Sequence, residues 1–310
     1  MKDEPAPHST LRRSVGLVLR RPVRQLGVEA FYSDFMAGLE EVLTEHGRPF
    51  VLQVVPDLDE ELDAYQRWAQ SGRVAGVVLV DITRQRDPRL DLVDRLGFAS
   101  VALAHPDDAP GHAVVWGDDE APMRTAVEYL HGLGHARIGR VSGPDDLAHT
   151  VRRTHAFEAV AERGGLDVRI EVADFTGPGG VAAVERLLAG TNAPTAIVFD
   201  NDVMAAAAAS ALTARGIDVP GDLSLLAWDD SVLCRSTVPS LSAMARDIAV
   251  WGESAGTAIM KALGHGARPV TIAPTPELIV RASTGPAHGG ASAAGRAESA
   301  PSTPGTSLEP

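Results

Sequence analysis

A single cysteine, Cys234, stands in 310 residues. One thiol cannot build an intrachain disulfide framework, nor a zinc site of four cysteines or of two cysteines and two histidines, and a reducing compartment is its natural setting. No run approaches the roughly 20 apolar residues that a membrane helix needs. The start MKDEPAPHST is polar, and the first apolar stretch, Val15 to Leu19, is short and bounded by arginines. Neither export signal nor membrane anchor is expected, and the chain is expected to be cytoplasmic. Positive charge is scarce as well, with 28 Lys and Arg against 41 Asp and Glu and a net charge of −13. Phosphate contacts need clustered Lys and Arg, so a nucleic-acid surface spread over the whole molecule is excluded. The local cluster Arg12, Arg13, Arg20, Arg21 and Arg24 reads as a solvated strand end.

Sequence signatures of catalysis are missing too. Neither the Gly-Lys-Ser/Thr of a phosphate loop nor a Gly-x-Gly-x-x-Gly string occurs, there is no Gly-x-Ser-x-Gly elbow, and Cys234 has no histidine nearby. His131 and His135 are four apart, the spacing of two ligands on one helical face, but Gly132 and Gly134 interrupt that helix and no carboxylate completes a zinc set. They read as a helix C-terminus, and the GPGG at Gly177 as the start of a helix. No metal, no cofactor and no enzymatic activity are expected. Acidic pairs such as Asp107 with Asp108 and Asp118 with Asp119 read mostly as surface turns.

What is present is alternation. Strand-length apolar runs (SVGLVL, FVLQVV, VAGVVLV, SVALA, AVVW) are separated by amphipathic helical segments over Phe31 to His46, Leu58 to Ser71 and Pro88 to Leu96. A second series follows Trp116: a helix from about Asp119 to Leu133, ARIGRVS, and a helix from about Thr150 to Arg163. A strand near Val168 to Ala173, a helix from Gly179 to Leu188, TAIVF, a helix from Asp202 to Arg215 and LSLLAW complete it. Gly47, Gly97, Gly134, Gly164 with Gly165, and Gly216 stand where helices should stop. Two repeated arrays predict an α/β fold of two doubly wound parallel-sheet lobes, because a single open sheet of a dozen strands tends to split.

In such sheets ligands sit at the carboxyl ends of strands. Asp200, Asn201 and Asp202 follow TAIVF, Asp229 and Asp230 follow LSLLAW, and TVRRTHAF places Arg152 and Arg153 at the start of a helix. Carboxylates accept hydroxyl protons, amides donate and accept, and guanidinium donates in a fork, a set that suits a polyol or sugar. Taken singly, Asn201 or Asp202 could equally cap a helix and Asp229 close a turn.

At this point the sequence resembles the effector-binding part of LacI/GalR transcriptional regulators. The resemblance runs in unbroken order from about Ser14 to Thr284 through GVEAFYSDFMAGLEEVLTEHG, RVAGVVLV, AVEYLHGLGHARIGRVSGP, PTAIVFDNDVMAAAAASALTARGIDVPGDLSLLAWDD and PELIVRAST. YLHGLGHARI, NDVMA and PGDLSLLAWDD are its most specific parts. It implies a periplasmic-binding-protein-like fold whose chain passes between lobes near Gly117, Arg246 and Ala273. It also implies an N-terminal lobe of 14–117 with 247–272 and a C-terminal lobe of 118–246 with 273–284, after a flexible arm at 1–13; from Gly285 onward large apolar side chains are almost absent, so 285–310 is expected to be a disordered tail. Motif by motif it implies ligand contacts from Arg153, Asn201 and Asp229, with Phe31, Tyr32 and Phe175 as aromatic walls. His105 stands where the family carries an acid after the fourth strand, and His149 where it carries a serine.

The function so implied is an effector sensor that binds a sugar or related polar molecule, with a hinge motion that closes the lobes and a homodimer as its working form. A helix-turn-helix takes about 20 residues, and 13 precede Ser14. DNA contact is therefore expected only through a head outside the chain as given. Two other readings stay open: a solute-binding protein of a sugar transporter, and an enzyme acting on a sugar or nucleoside. Arg153→Ala and Asp229→Ala are expected to abolish ligand stabilisation without unfolding the protein, because both follow strands.

Overall fold

A computed structural model describes residues 13–21 and 30–287. Arg12 and Arg24 of the basic cluster, with residues 1–11 of the expected arm and 288–310 of the expected tail, lie outside these described residues.

The first array is β1 (Ser14–Arg20), α1 (Ala30–Glu45), β2 (Phe50–Val55), α2 (Leu58–Ser71), β3 (Val74–Leu79), α3 (Pro88–Arg95), β4 (Ala99–Leu103) and β5 (Ala113–Trp116). The second is α4 (Glu120–Gly132), β6 (Arg137–Ser142), α5 (Ala148–Gly164), β7 (Asp167–Val172), α6 (Gly177–Leu188), β8 (Ala196–Phe199), α7 (Asp202–Ala214) and β9 (Ser224–Trp228). The remainder is α8 (Val232–Ser236), β10 (Ser242–Ala245), α9 (Ile248–His265), β11 (Val270–Ile272) and β12 (Glu277–Ile279).

Two six-stranded sheets result, ordered β2-β1-β3-β4-β5-β11 and β7-β6-β8-β9-β10-β12. Every pairing is parallel except β10 with β12. The shared 2-1-3-4-5 order is that of a doubly wound sheet, whose crevice opens where the strand order reverses. The chain passes from the first sheet to the second after β5, back after β10 so that α9 can cover the first sheet, and across again between β11 and β12.

Strand β1 shows why these segments are buried on both faces. Val15, Leu17 and Leu19 pack with Phe35, Leu39 and Ile259 under α1 and α9, while Val18 points to the other face with Tyr65, Val77 and Val93. Helix on both faces of a parallel strand requires near-continuous apolar sequence. The α1–α9 contact is made at backbone distance: a Cβ at Gly38 would run into the Ala249 carbonyl, and one at Gly252 into that of Phe35.

Four expectations are corrected. Arg13 is not free in an arm, since its guanidinium donates to the carbonyls of Gly72 (2.7 Å) and Val74 (2.7 Å). The tail does not begin at Gly285: the Gly285 amide reaches the Ser224 hydroxyl at 3.1 Å and the Ala287 amide the Leu133 carbonyl at 2.9 Å, so docking extends to residue 287. His131 stands in the last turn of α4 as expected, but His135 lies beyond the helix end as a buried core histidine, held by Thr195 Oγ1 (2.9 Å) and the Gly285 carbonyl (3.1 Å). Arg20 and Arg21 do not form a solvated strand end, because Arg20 pairs with the fully buried Glu61 at 2.8 Å and Arg21 with Asp81 at 2.8 Å. The expected helix start at GPGG holds, with Thr176 accepting from the Gly179 amide.

Candidate functional site

Between the facing carboxyl ends of the two sheets lies a cavity of about 130 Å³, and Phe31, Tyr32, His105, His149, Arg153, Phe175, Asn201 and Asp229 all line it. All eight residues named from the family resemblance are thus brought to one place. A single water needs about 10–15 Å³, so the space is large enough for a small polar molecule. Behind Phe31, Asp202, Asp229 and Arg246 a second, wider compartment of about 420 Å³ continues toward Asp34 and Asp247.

Two walls are aromatic. On the first-sheet side Phe31 meets Tyr32 edge-on at 5.1 Å, and His105 meets Trp116 edge-on at 4.6 Å. On the second-sheet side His149 lies nearly parallel to Phe175 at 6.3 Å. The Phe175 ring lies against Gly143, where no Cβ would fit. Tyr32 departs from the expected open stacking face: Arg21 sits over its ring at 5.3 Å, and its hydroxyl donates to Asp81 at 2.9 Å.

The charged lining is arranged in pairs. Arg21 meets Asp81 at 2.8 Å, Arg152 meets Asp108 at 2.9 Å, Arg153 meets Asp119 at 2.8 Å, and Arg246 meets Asp229 at 2.7 Å. Asp200 is anchored by the fully buried Arg140 at 2.7 Å. Arg153 also lies 4.0 Å over the Trp228 ring. Burial alone would raise the Asp81 carboxyl, but Arg21, with smaller contributions from His149 and the Tyr32 hydroxyl, brings it down to about 2. In Asp119 and Asp200 burial is likewise outweighed, by Arg153 and by Arg140 respectively, and both carboxyls are lowered. His149 is pushed the other way for a base: burial and then the Arg153 charge lower it, so it is neutral at pH 7 and offers one donor and one acceptor.

Asn201 has both roles that its sequence position allowed. Its Oδ1 caps α7 by accepting from the Met204 amide at 2.9 Å, and its Nδ2 donates to the Phe175 carbonyl at 2.9 Å. The cap ties Phe175 to α7. Among the described residues the non-glycine positive φ values are 52° at Asp81, 64° at Phe175 and 65° at Asp229. All three residues line the cavity, and strained backbone of this kind concentrates at ligand sites.

Asp202 is the exception to the pairing. It is 6% exposed, and its Oδ2 has no hydrogen-bond partner. Burial, opposed by the Ser231 hydroxyl and reinforced by Asp229, pushes its carboxyl up to about 6. A folded value above the unfolded one means that the native state holds the proton longer. Stability is therefore lost as pH rises from about 4 to about 6, and the cost persists above. Asp202→Asn is expected to stabilise the chain by about 1–3 kcal/mol at pH 7.5 and to leave it unchanged near pH 4. Urea denaturation at the two pH values checks this, and an equal difference at both would contradict it.

Sequence reasoning missed much of the lining: Arg21, Asp81, Asp108, Trp116, Asp119, Arg246 and Trp251. Arg21 and Asp81 directly follow β1 and β3 or their last residues, so the strand-end rule that found Asp229 would have found them. Asp108 and Asp119 were read as surface turns, and their arginine partners come from a distant helix.

Two sheets of one strand order, linked by three passages of the chain around a polar cleft, define a bilobal ligand-binding architecture. A periplasmic binding protein-like domain matches residues 127–284. The HTH-type transcriptional regulator AglR of Rhizobium meliloti (strain 1021) is 32% identical over 286 residues, 88% of this chain and 78% of that protein. A crystal structure of a LacI family transcriptional regulator from Bifidobacterium animalis subsp. lactis superposes with a TM-score of 0.80 at 32% identity, over 89% of this chain and 99% of that one. A CelR–cellobiose complex matches with a TM-score of 0.80 at 27% identity, over 88% of this chain and 85% of that one. The chain belongs to the LacI family of transcriptional regulators.

Proposed function

We propose that this chain is the effector-sensing part of a LacI-type regulator and that its effector is a neutral sugar held between the lobes. The observation that carries this reading is the pairing in the cleft: each of Arg21, Arg152, Arg153 and Arg246 already faces a carboxylate. A phosphate or carboxylate ligand would have to displace one of these partners, whereas hydroxyls can donate to the carboxylates and accept from the guanidinium groups without disturbing the pairs. Trp116 and Phe175 supply apolar faces for a ring, while Phe31 carries Arg246 over its ring at 5.3 Å and Phe35 stacked at 6.2 Å. That the related CelR is a cellobiose complex supports the same ligand class.

Contacts from Arg153, Asn201, Asp229, His105 and His149 are part of the proposal, as are two moving bodies, 14–117 with 247–272 and 118–246 with 273–284. Closure of these bodies in a homodimer would re-space DNA-reading segments outside the chain as given.

A thermal-denaturation panel of neutral mono- and disaccharides beside their phosphates tests the reading. A neutral sugar at 100 times its dissociation constant is expected to stabilise the chain by about 2.7 kcal/mol. Asp119→Asn should weaken that gain by loosening Arg153. Stabilisation by phosphorylated sugars alone would refute the proposal.

A further inference from the structure

The cleft is spanned on one rim by main chain. The segment after β3 and the segment before α5, which belong to opposite sheets, form an antiparallel bridge in which Thr83 faces Leu147. The Ala148 amide donates to the Ile82 carbonyl at 2.9 Å, and the Arg84 amide to the Asp146 carbonyl at 2.8 Å. Ala148 is the first residue of α5, and the residue before it, Leu147, has no side chain able to cap. A helix leaves its first four amides without intrahelical partners. Elsewhere a nearby side chain meets this need, as Asp57, Thr176, Asn201 and Asp247 do. For α5 the missing acceptor comes from the opposite half of the molecule.

Both sides of the bridge are held from behind. Arg89, 1% exposed, donates to the carbonyls of Val80 (2.9 Å) and Asp81 (2.7 Å), and its partner Asp87 accepts the Thr83 amide at 3.1 Å. The Ile82–Arg84 segment is therefore presented by a buried ionic clamp. On the other side α5 also carries Arg152 to Asp108 across the same rim.

We infer that the Ile82–Arg84 and Asp146–Ala148 segments are a built-in latch, through which the two lobes hold the cleft shut by direct backbone pairing in the chain by itself. An effector that enters by this rim needs the latch open, and the closed form regains the α5 cap each time the latch re-forms. The inference rests on the proposed moving bodies, but its tests use no sugar, so failure of the latch and failure of the ligand reading are separable.

Hydrogen exchange on the whole chain is the first test. The Arg84 amide, in a loop, should exchange about tenfold or more slowly than its unprotected rate. Ala148→Pro removes the donor to Ile82, while proline at the first helical position suits α5. It should leave the helical circular dichroism intact, deprotect the Arg84 amide on the opposite lobe and raise the radius of gyration. A second variant reads the opposite sign. Thr83 and Leu147 are a pair flanked by, rather than joined by, the bridge hydrogen bonds, so their side chains are close. Thr83→Cys with Leu147→Cys should cross-link under mild oxidation and keep Arg84 protected. An Arg84 amide exchanging at its unprotected rate in the parent chain, or unchanged by Ala148→Pro, would overturn the latch, as would a cysteine pair that stays reduced.

Discussion

Replacing Arg153 by alanine is expected to destabilise the chain by about 3–5 kcal/mol, the cost of stranding one member of a buried ion pair, and to remove any response to sugar. Its guanidinium is 3% exposed, stacks on Trp228, and neutralises Asp119 while also donating to the Asp200 carbonyl at 3.4 Å. From sequence this substitution is expected to spare the fold; the structure raises the expected cost, because Arg153 lines the cleft with its side chain almost fully buried between Asp119, Asp200 and Trp228. Denaturant unfolding of Arg153→Ala beside Arg153→Ala/Asp119→Ala separates the causes. The double variant should recover a substantial part of the loss, because it strands no carboxylate. A double variant no more stable than the single one would show that Arg153 acts through packing alone.

Arg89→Met should cost as much, about 3–5 kcal/mol at pH 7, although Arg89 itself does not line the ligand cavity. Asp87 at 1% exposure depends on Arg89, which reaches it at 2.7 Å, and the fully buried Glu61 shares Arg89 at 3.0 Å with Arg20 at 2.8 Å. Burial would raise the Asp87 carboxyl, but the Arg89 hydrogen bond and charge hold it below the usual carboxylate range. In the parent this stability is present above the unfolded pKa and lost as pH falls through the lower folded one. In Arg89→Met burial is unopposed by that cation, so the difference between the two proteins should be widest at neutral pH and narrow below about pH 4. A difference independent of pH would mean that lost packing, not the stranded acids, accounts for the effect. Because Asp87 also holds Thr83, the same variant should loosen the rim bridge.

The order of elements was legible because burial on both faces of a parallel strand writes itself as an apolar run, and β1 through β9 follow those runs within one or two residues. After Trp228 periodicity assigned nothing, although α9 is 18 residues long. Its Gly252, Ala255, Gly256 and Ala258 are small; Gly252 lies against the α1 backbone at Phe35 and Leu39, and Gly256 against the Val42 side chain.

Sequence by itself determined the fold class, the two arrays, and eleven residues of the cleft, six of them from the rule that strand ends face ligands and eight from the family resemblance. Tertiary structure alone decided which charges meet. Arg153 finds Asp119 across 34 residues, Arg21 finds Asp81 across 60, and Ala148 finds Ile82 on the opposite lobe. Local periodicity reports which side of a helix or strand is apolar. It carries no information about which polar group from a distant loop will stand opposite, and that opposition sets the charge balance of the cleft and closes its rim.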